Sequence, residues 1–275
     1  MNNLLMNNLL VSSLLINLKL YFVTACAQCS SISRKDRLSE LPEPILLHIL
    51  SFLPMRYVVR TTILSKRWRH LWTIVQELDF GSEGFFPYQN YVDFVNRTML
   101  RRGTYKIRRL RLDLYINGSS RKDYDGWILY AARNSVEELF LDFNADCFYW
   151  LPPPCVYCNS SLKALRMLSC RLIPDMQISW NLLKKLTLWF SVLWDESIHN
   201  IMVGAPKLEF FELFSCWDYN DPTFDSPSLR VLIVSEYESV DYELDEYDKG
   251  SVMRIPAPNV QSLNLSGSFY RSVFW

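Results

Sequence analysis

The side chains that most often carry catalysis or hold metals are sparse and scattered in this sequence. Three histidines occur, His48, His70 and His199, and the first two fall within one short stretch. Cys26/Cys29 and Cys155/Cys158 are C-x-x-C pairs, the spacing of zinc ligands, but a structural zinc needs four donors converging on one tetrahedral ion. The pairs lie far apart, and the second follows Pro152-Pro153-Pro154, so free thiols in a loop are expected and a metal site is not. No H-E-x-x-H, G-x-S-x-G or glycine-rich phosphate loop appears, and 8 glycines leave little material for a nucleotide cradle. With no converging nucleophile, base and metal set, the chain reads as a non-enzyme without a cofactor.

Charged runs are the other candidates. Arg97, Arg101, Arg102, Lys106, Arg108, Arg109 and Arg111 crowd together in a pattern that can grip phosphate. A solvated helix face followed by exposed strand positions accounts for them better, and no nucleic-acid partner is expected. Glu236, Glu238, Asp241, Glu243, Asp245, Glu246 and Asp248 form an acidic run lacking the central glycine of a calcium loop, which predicts a solvated insertion. Sequons at Asn96, Asn117, Asn159 and Asn264 exceed the roughly two that chance supplies for this motif, which keeps a secreted alternative open.

The composition is globular, with 49% hydrophobic and 21% charged residues. Acids and bases number 29 each, yet residues 1–111 hold 16 basic against 7 acidic side chains and residues 112–275 hold 13 against 22. Halves of opposite charge suggest two modules. Seven cysteines, an odd number in a long chain, fit a reducing compartment. Leu4 to Ala27 is apolar and Asn-rich and ends in Ala25-Cys26-Ala27, like a signal-peptide cleavage site. No positive charge precedes it and Lys19 interrupts it, so residues 1–35 are read as an extension and no membrane partner is expected.

Three short helices should follow. Ile45, Leu46, Ile49, Leu50 and Leu53 share one helical face behind Pro42 and Pro44, and Pro54 stops the helix. A second helix is predicted over residues 56–64, with Val59 and Ile63 on one face. A third, capped by Ser65, carries Trp68, Leu71, Trp72 and Val75 at helical spacing. So small a unit has a marginal core and is expected to present an apolar surface to a partner. Asp36-Arg37-Leu38-Ser39-Glu40-Leu41-Pro42, Ile45-Leu46-Leu47-His48-Ile49-Leu50-Ser51-Phe52-Leu53-Pro54 and Leu64-Ser65-Lys66-Arg67-Trp68-Arg69-His70-Leu71-Trp72 together resemble a plant-type F-box over residues 36–80. The resemblance implies binding to the Skp adaptor, and through it to a cullin, with Leu41, Pro42, Ile45, Leu46, Ile49, Leu50 and Trp68 carried over as the adaptor-binding residues.

Beyond a helical connector at residues 81–106, the pattern L-x-x-L-x-L recurs from Ile107, Val136, Leu162, Leu183, Leu208, Leu229 and Val260. The irregular intervals of 21 to 31 residues are close to the roughly 20–29 of leucine-rich repeats. The Asn or Cys that such repeats place three residues after the last L is present as Asn144, Cys170 and Cys216. The predicted fold is α/β: a three-helix F-box, then an irregular solenoid of about seven repeats over 107–275 with a curved parallel sheet, the connector capping its open end and the last repeat cut short. The combination is similar to the F-box/FBD/leucine-rich-repeat family, here without the C-terminal FBD region. It implies a substrate-recognition subunit of a Skp-cullin-F-box ubiquitin ligase, cytoplasmic or nuclear, whose repeats bind an unknown protein substrate. The alternative is a secreted or membrane-anchored repeat protein.

Alternate strand residues should project from the concave face. Counting two, four and six places from each repeat start puts Arg109, Arg111, Phe140, Arg166, Trp189, Phe210 and Phe214 there, and these are the expected substrate-binding residues.

Overall fold

The computed structural model describes residues 41–115, 121–144, 150–236, 251–267 and 272–275. The N-terminal cysteine pair, the sequon at Asn117 and nearly all of the acidic run lie outside them.

Three helical segments open the described chain: α1 (Glu43–Ser51), α2 (Met55–Arg60) running into a 3-10 turn at Thr61–Ile63, and α3 (Trp68–Ile74). Pro44 sits in the first turn of α1, where its missing N–H costs nothing, and Pro54 separates α1 from α2. The expected single helix over 56–64 is therefore two shorter pieces. Its buried residues are Met55 and Val58, while Ile63 is exposed. Ser65 does not cap α3, which starts three residues later behind Arg67 without a side-chain cap. Trp68, Leu71, Trp72 and Val75 are buried as their spacing requires.

The rest alternates strands with return segments: β1 (Glu77–Phe80), α4 (Gln89–Arg102), β2 (Arg109–Tyr115), α5 (Arg121–Arg133), β3 (Glu138–Asn144), α6 (Pro154–Tyr157), β4 (Ala164–Leu168), β5 (Lys185–Trp189), α7 (Asp195–Gly204), β6 (Phe210–Phe214), β7 (Val231–Ser235), β8 (Val252–Arg254), β9 (Ser262–Ser266) and β10 (Ser272–Phe274). Strands β1 to β7 and then β9 form one eight-stranded sheet in sequence order, every pair parallel, and β8 pairs with β10 apart from it. Sequential parallel pairing is what stacked strand-and-return units produce, because each return segment carries the chain back to the same edge. Each of the seven expected strands begins two residues after its repeat start.

Strand β1 is an addition to that expectation. Val75-Gln76-Glu77-Leu78-Asp79-Phe80 carries the same L-x-x-L-x-L pattern, masked in sequence because Val75 also completes the helical face of α3. The connector is accordingly not a cap. Helix α4 is the return segment between β1 and β2, with Tyr91, Val95 and Met99 buried and the Tyr91 hydroxyl donating to the Phe80 carbonyl at 2.9 Å. It ends at Gly103, whose φ of 68° is a left-handed geometry that glycine adopts without steric cost.

Leucines and their equivalents fill the packed side of the sheet. Ile107, Leu110, Leu112, Leu139, Leu141, Leu165, Met167, Leu186, Leu188, Phe211, Leu213, Leu232 and Val234 are all buried. At the Asn/Cys position, the Cys216 thiol donates to the Leu188 carbonyl at 3.3 Å, and Cys170 meets Ser191 Oγ at 3.3 Å. These side chains therefore tie one turn to the next, as that position requires. Burial pushes both thiols up to about 12.

Candidate functional site

Among the described residues, two surfaces bear on the sequence expectations for partner binding. The first lies on the F-box helices. On α1 the apolar face splits: Leu46 and Leu50 are fully buried, whereas Ile45 and Ile49 remain 46% and 37% exposed. Phe52, Ile63 and Leu64 add exposures of 62%, 80% and 40%. Of the expected adaptor-binding residues, Leu46, Leu50 and Trp68 are buried in the F-box's own core, a division that the sequence could not make. Ile45 and Ile49 face outward, Pro42 is exposed and Leu41 is half-buried. The reason is angular. Residues at i, i+1, i+4 and i+5 span a wide arc of the helix, and α2 and α3 cover only one side of it. Ile63 and Leu64, which the sequence reading did not select, belong with the exposed set.

The second surface is the open face of the sheet, opposite the buried leucines. It carries all seven expected substrate-binding residues, each half-buried. Arg109, Arg111 and Arg166 are not free cations. Arg109 Nε bonds Glu138, Arg111 Nε donates to Asp142 Oδ2 at 3.1 Å, and Arg166 grips both oxygens of Asp142. Arg109 and Arg166 also flank the Phe140 ring, at 5.8 and 5.5 Å from its centroid, and Arg166 lies 5.5 Å from the Trp189 ring. Lys185 Nζ sits 4.4 Å over Phe210.

Much of the basic run is engaged in the same way. Arg108 pairs with Glu77, Lys106 with Glu137, and buried Arg102 donates to the carbonyls of Thr73 and Lys106 at 3.1 and 2.9 Å. These acids lie about 30 positions away in sequence, and only the parallel register brings them alongside. The strip from Lys106 to Arg111 is a poor phosphate ligand, because contacts there would first break an existing ion pair.

Beyond β4 the open face turns apolar. Leu168, Trp189 and Phe214 occupy adjacent positions of one row across β4, β5 and β6, with the Trp189 and Phe214 rings 5.9 Å apart. Phe190 joins them unexpectedly. Strict alternation sends it to the packed side, but its φ is 48°, and its ring is exposed and meets Phe214 edge-on at 5.3 Å. Ser169 and Ser215 share that left-handed geometry at the equivalent repeat position, so the kink is a property of the repeat. Thr187 departs the other way: it is on the open face yet buried, flanked in its row by the longer Arg166 and Glu212.

Cys155 is half-buried and Cys158 exposed, both as free thiols at the short helix α6. Among the described residues no group of His, Cys, Asp and Glu could hold a metal ion, and no helix is long and apolar enough to cross a membrane. Two sequons are engaged in structure: Asn159 is buried and accepts from Ser161, and Asn96 accepts from the Trp127 indole at 2.6 Å.

Comparison with known proteins agrees with this architecture. Residues 38–79 match the F-box domain, and residues 124–269 match the family described as "FBD-associated F-box protein At5g56370, LRR repeats". The Arabidopsis thaliana putative F-box protein At1g49610 is 38% identical over 240 residues, covering 85% of this chain and 56% of that protein. The putative F-box/LRR-repeat protein At5g02930 of the same plant is 31% identical over 85% of this chain and 48% of its own length. The F-box/FBD/LRR-repeat protein At2g04230 is 33% identical over 85% and 54%. The chain spans about half the length of these relatives. With an F-box match at its helices, a repeat match over its sheet and relatives of both descriptions, the chain belongs to the F-box/leucine-rich-repeat family.

Proposed function

We propose that the chain is the substrate-recognition subunit of a Skp-cullin-F-box ubiquitin ligase, acting in the cytoplasm or nucleus. In this reading the F-box binds the Skp adaptor, the open face of the sheet binds a target protein, and the chain performs no chemistry itself. The observation that carries it is the apolar set Ile45, Ile49, Phe52, Ile63 and Leu64, left exposed on a three-helix unit. Taking a wholly exposed side chain of this kind out of water contributes about 1.5–3 kcal/mol; these, 37% to 80% exposed, retain a corresponding share of that gain, and such exposure on so small a unit marks a binding site. The partner face of the sheet, with aromatic rings and arginines held by neighbours, has the composition of protein interfaces.

The test is co-purification of the full chain with a Skp adaptor. Wild-type protein retains the adaptor, and Ile45→Asp or Ile63→Asp abolishes retention without lowering the thermal midpoint, since neither side chain is in the core. Retention by both variants, or none by the wild type, overturns the reading.

A further inference from the structure

One row of the open face runs Asp113, Asp142, Leu168, Trp189, Phe214 across five adjacent strands. Its two ends differ in chemistry. At the β1–β3 end a single guanidinium, Arg111, serves three carboxylates. Its Nε bonds Asp142 at 3.1 Å, while its Nη atoms reach Asp113 only at 3.4 Å and Asp79 only at 3.8 Å. Arg166, the next cation along, is committed to both oxygens of Asp142. Asp79 Oδ1 and Asp113 Oδ1 are shielded from solvent and lack a hydrogen-bond donor, Asp113 Oδ2 accepts from the Ser82 amide at 2.9 Å, and the Asp79 side chain as a whole stays 39% exposed on the open face. Burial, opposed by Arg111 and reinforced by the neighbouring carboxylates, holds both Asp79 and Asp113 above the usual carboxylate range. Three carboxylates, Asp79, Asp113 and Asp142, face two guanidiniums, Arg111 and Arg166, so this end carries negative charge that its own arginines do not match. The other end is the Leu168, Trp189, Phe214 and Phe190 patch.

We propose that this row takes an extended segment of the substrate protein, a lysine or arginine over Asp113 and over Asp79 in the adjoining row, and a large apolar residue against Leu168, Trp189 and Phe214. The inference rests on the reading of the repeats as the substrate-binding module and adds the chemistry of the ligand. Spacing follows from the sheet. Strands lie about 4.8 Å apart, so Asp113 is about 14 Å from Trp189 and about 19 Å from Phe214 along the row. An extended chain rises about 3.3 Å per residue, which separates the basic and apolar residues by about four to six positions. A substrate cation meets a partly enclosed anionic end, where salt screens less than at an open surface. An acidic segment meets repulsion there.

The experiment uses the full chain co-purified with a Skp adaptor, and labelled peptides of Gly and Ser that hold one arginine and one leucine at varied separation, read by fluorescence anisotropy. Binding is tightest at separations of about four to six. Asp79→Asn weakens it about tenfold, and replacing the arginine by neutral citrulline weakens wild type by the same factor but leaves Asp79→Asn unchanged, the signature of direct coupling. Trp189→Ala removes the preference for leucine. Asp113 also anchors Ser82, so Asp113→Asn is interpreted only with an unchanged thermal midpoint, and Asp79→Asn alone decides the matter. Equal or tighter binding of glutamate in place of arginine overturns the inference. So does indifference to Asp79→Asn, or no saturable binding at millimolar peptide. Adaptor retention in the same preparation reports separately on the ligase reading, so the two can fail independently.

Discussion

Asp79 stands directly across the β1–β2 ladder from Arg111, yet their charged atoms approach only to 3.8 Å, because the guanidinium turns its Nε to Asp142 at 3.1 Å. Asp79 is consequently a carboxylate whose burial outweighs the cation beside it, and its pKa is raised. A raised folded-state value means that the native state binds this proton more tightly than the unfolded chain does. The site's contribution to stability is then fully present below the ordinary value of 3.8 and is lost as pH rises through the folded value. Asp79→Asn is expected to raise the thermal midpoint at neutral pH, and the gain shrinks as pH falls toward the ordinary aspartate value. Thermal melts of both proteins across that range check the sign. A gain that grows on acidification contradicts it.

The split face of α1 predicts opposite behaviour for neighbouring residues. Leu50→Ala, at a fully buried position, should cost about 2–5 kcal/mol by transfer and cavity terms. Ile49→Ala next to it should cost under about 1 kcal/mol, in line with surface substitutions. Urea denaturation of the two variants distinguishes them, and equal losses would mean that α1 packs differently.

Ser215 combines a φ of 49° with a buried hydroxyl that lacks a hydrogen-bond partner. Both features are unfavourable for serine, and glycine removes both. Ser215→Gly is expected to stabilise the protein by about 1 kcal/mol, visible as a rise in the denaturation midpoint. A loss of stability would show that the hydroxyl has a role in the native packing.

Buried thiols pushed up to about 12 cannot supply the thiolate that alkylation requires. Under native conditions at pH 8, iodoacetamide should modify exposed Cys158 while Cys170 and Cys216 stay unlabelled until denaturant is added. Peptide mass mapping reads the order, and early modification of Cys216 would mean that its repeat opens locally.

The strands were legible in the sequence because a strand's period of two, written as L-x-x-L-x-L, is a local property. All seven repeat starts found their strands; of the three strands missed, β1 carries the pattern from Val75, whereas the short pair β8 and β10 does not follow it. The F-box helices were legible for the same reason, through Leu46, Leu50, Trp68, Leu71 and Trp72. Boundaries and roles that depend on distant neighbours were not. Whether Ile45 or Leu46 faces inward depends on where α2 and α3 sit around α1, and the helical period allows either. Arg109, Arg111 and Arg166 could be placed on the concave face from the sequence, but their partners Glu138 and Asp142 came only with the parallel register. Phe190 obeyed its backbone rather than its place in the alternation, since a positive φ turns a side chain to the face that the period denies it. Periodicity is carried by residues a few positions apart and is present in the chain itself. Exposure, ion pairing and face are set by atoms tens of residues away, and they exist only once the strands have stacked.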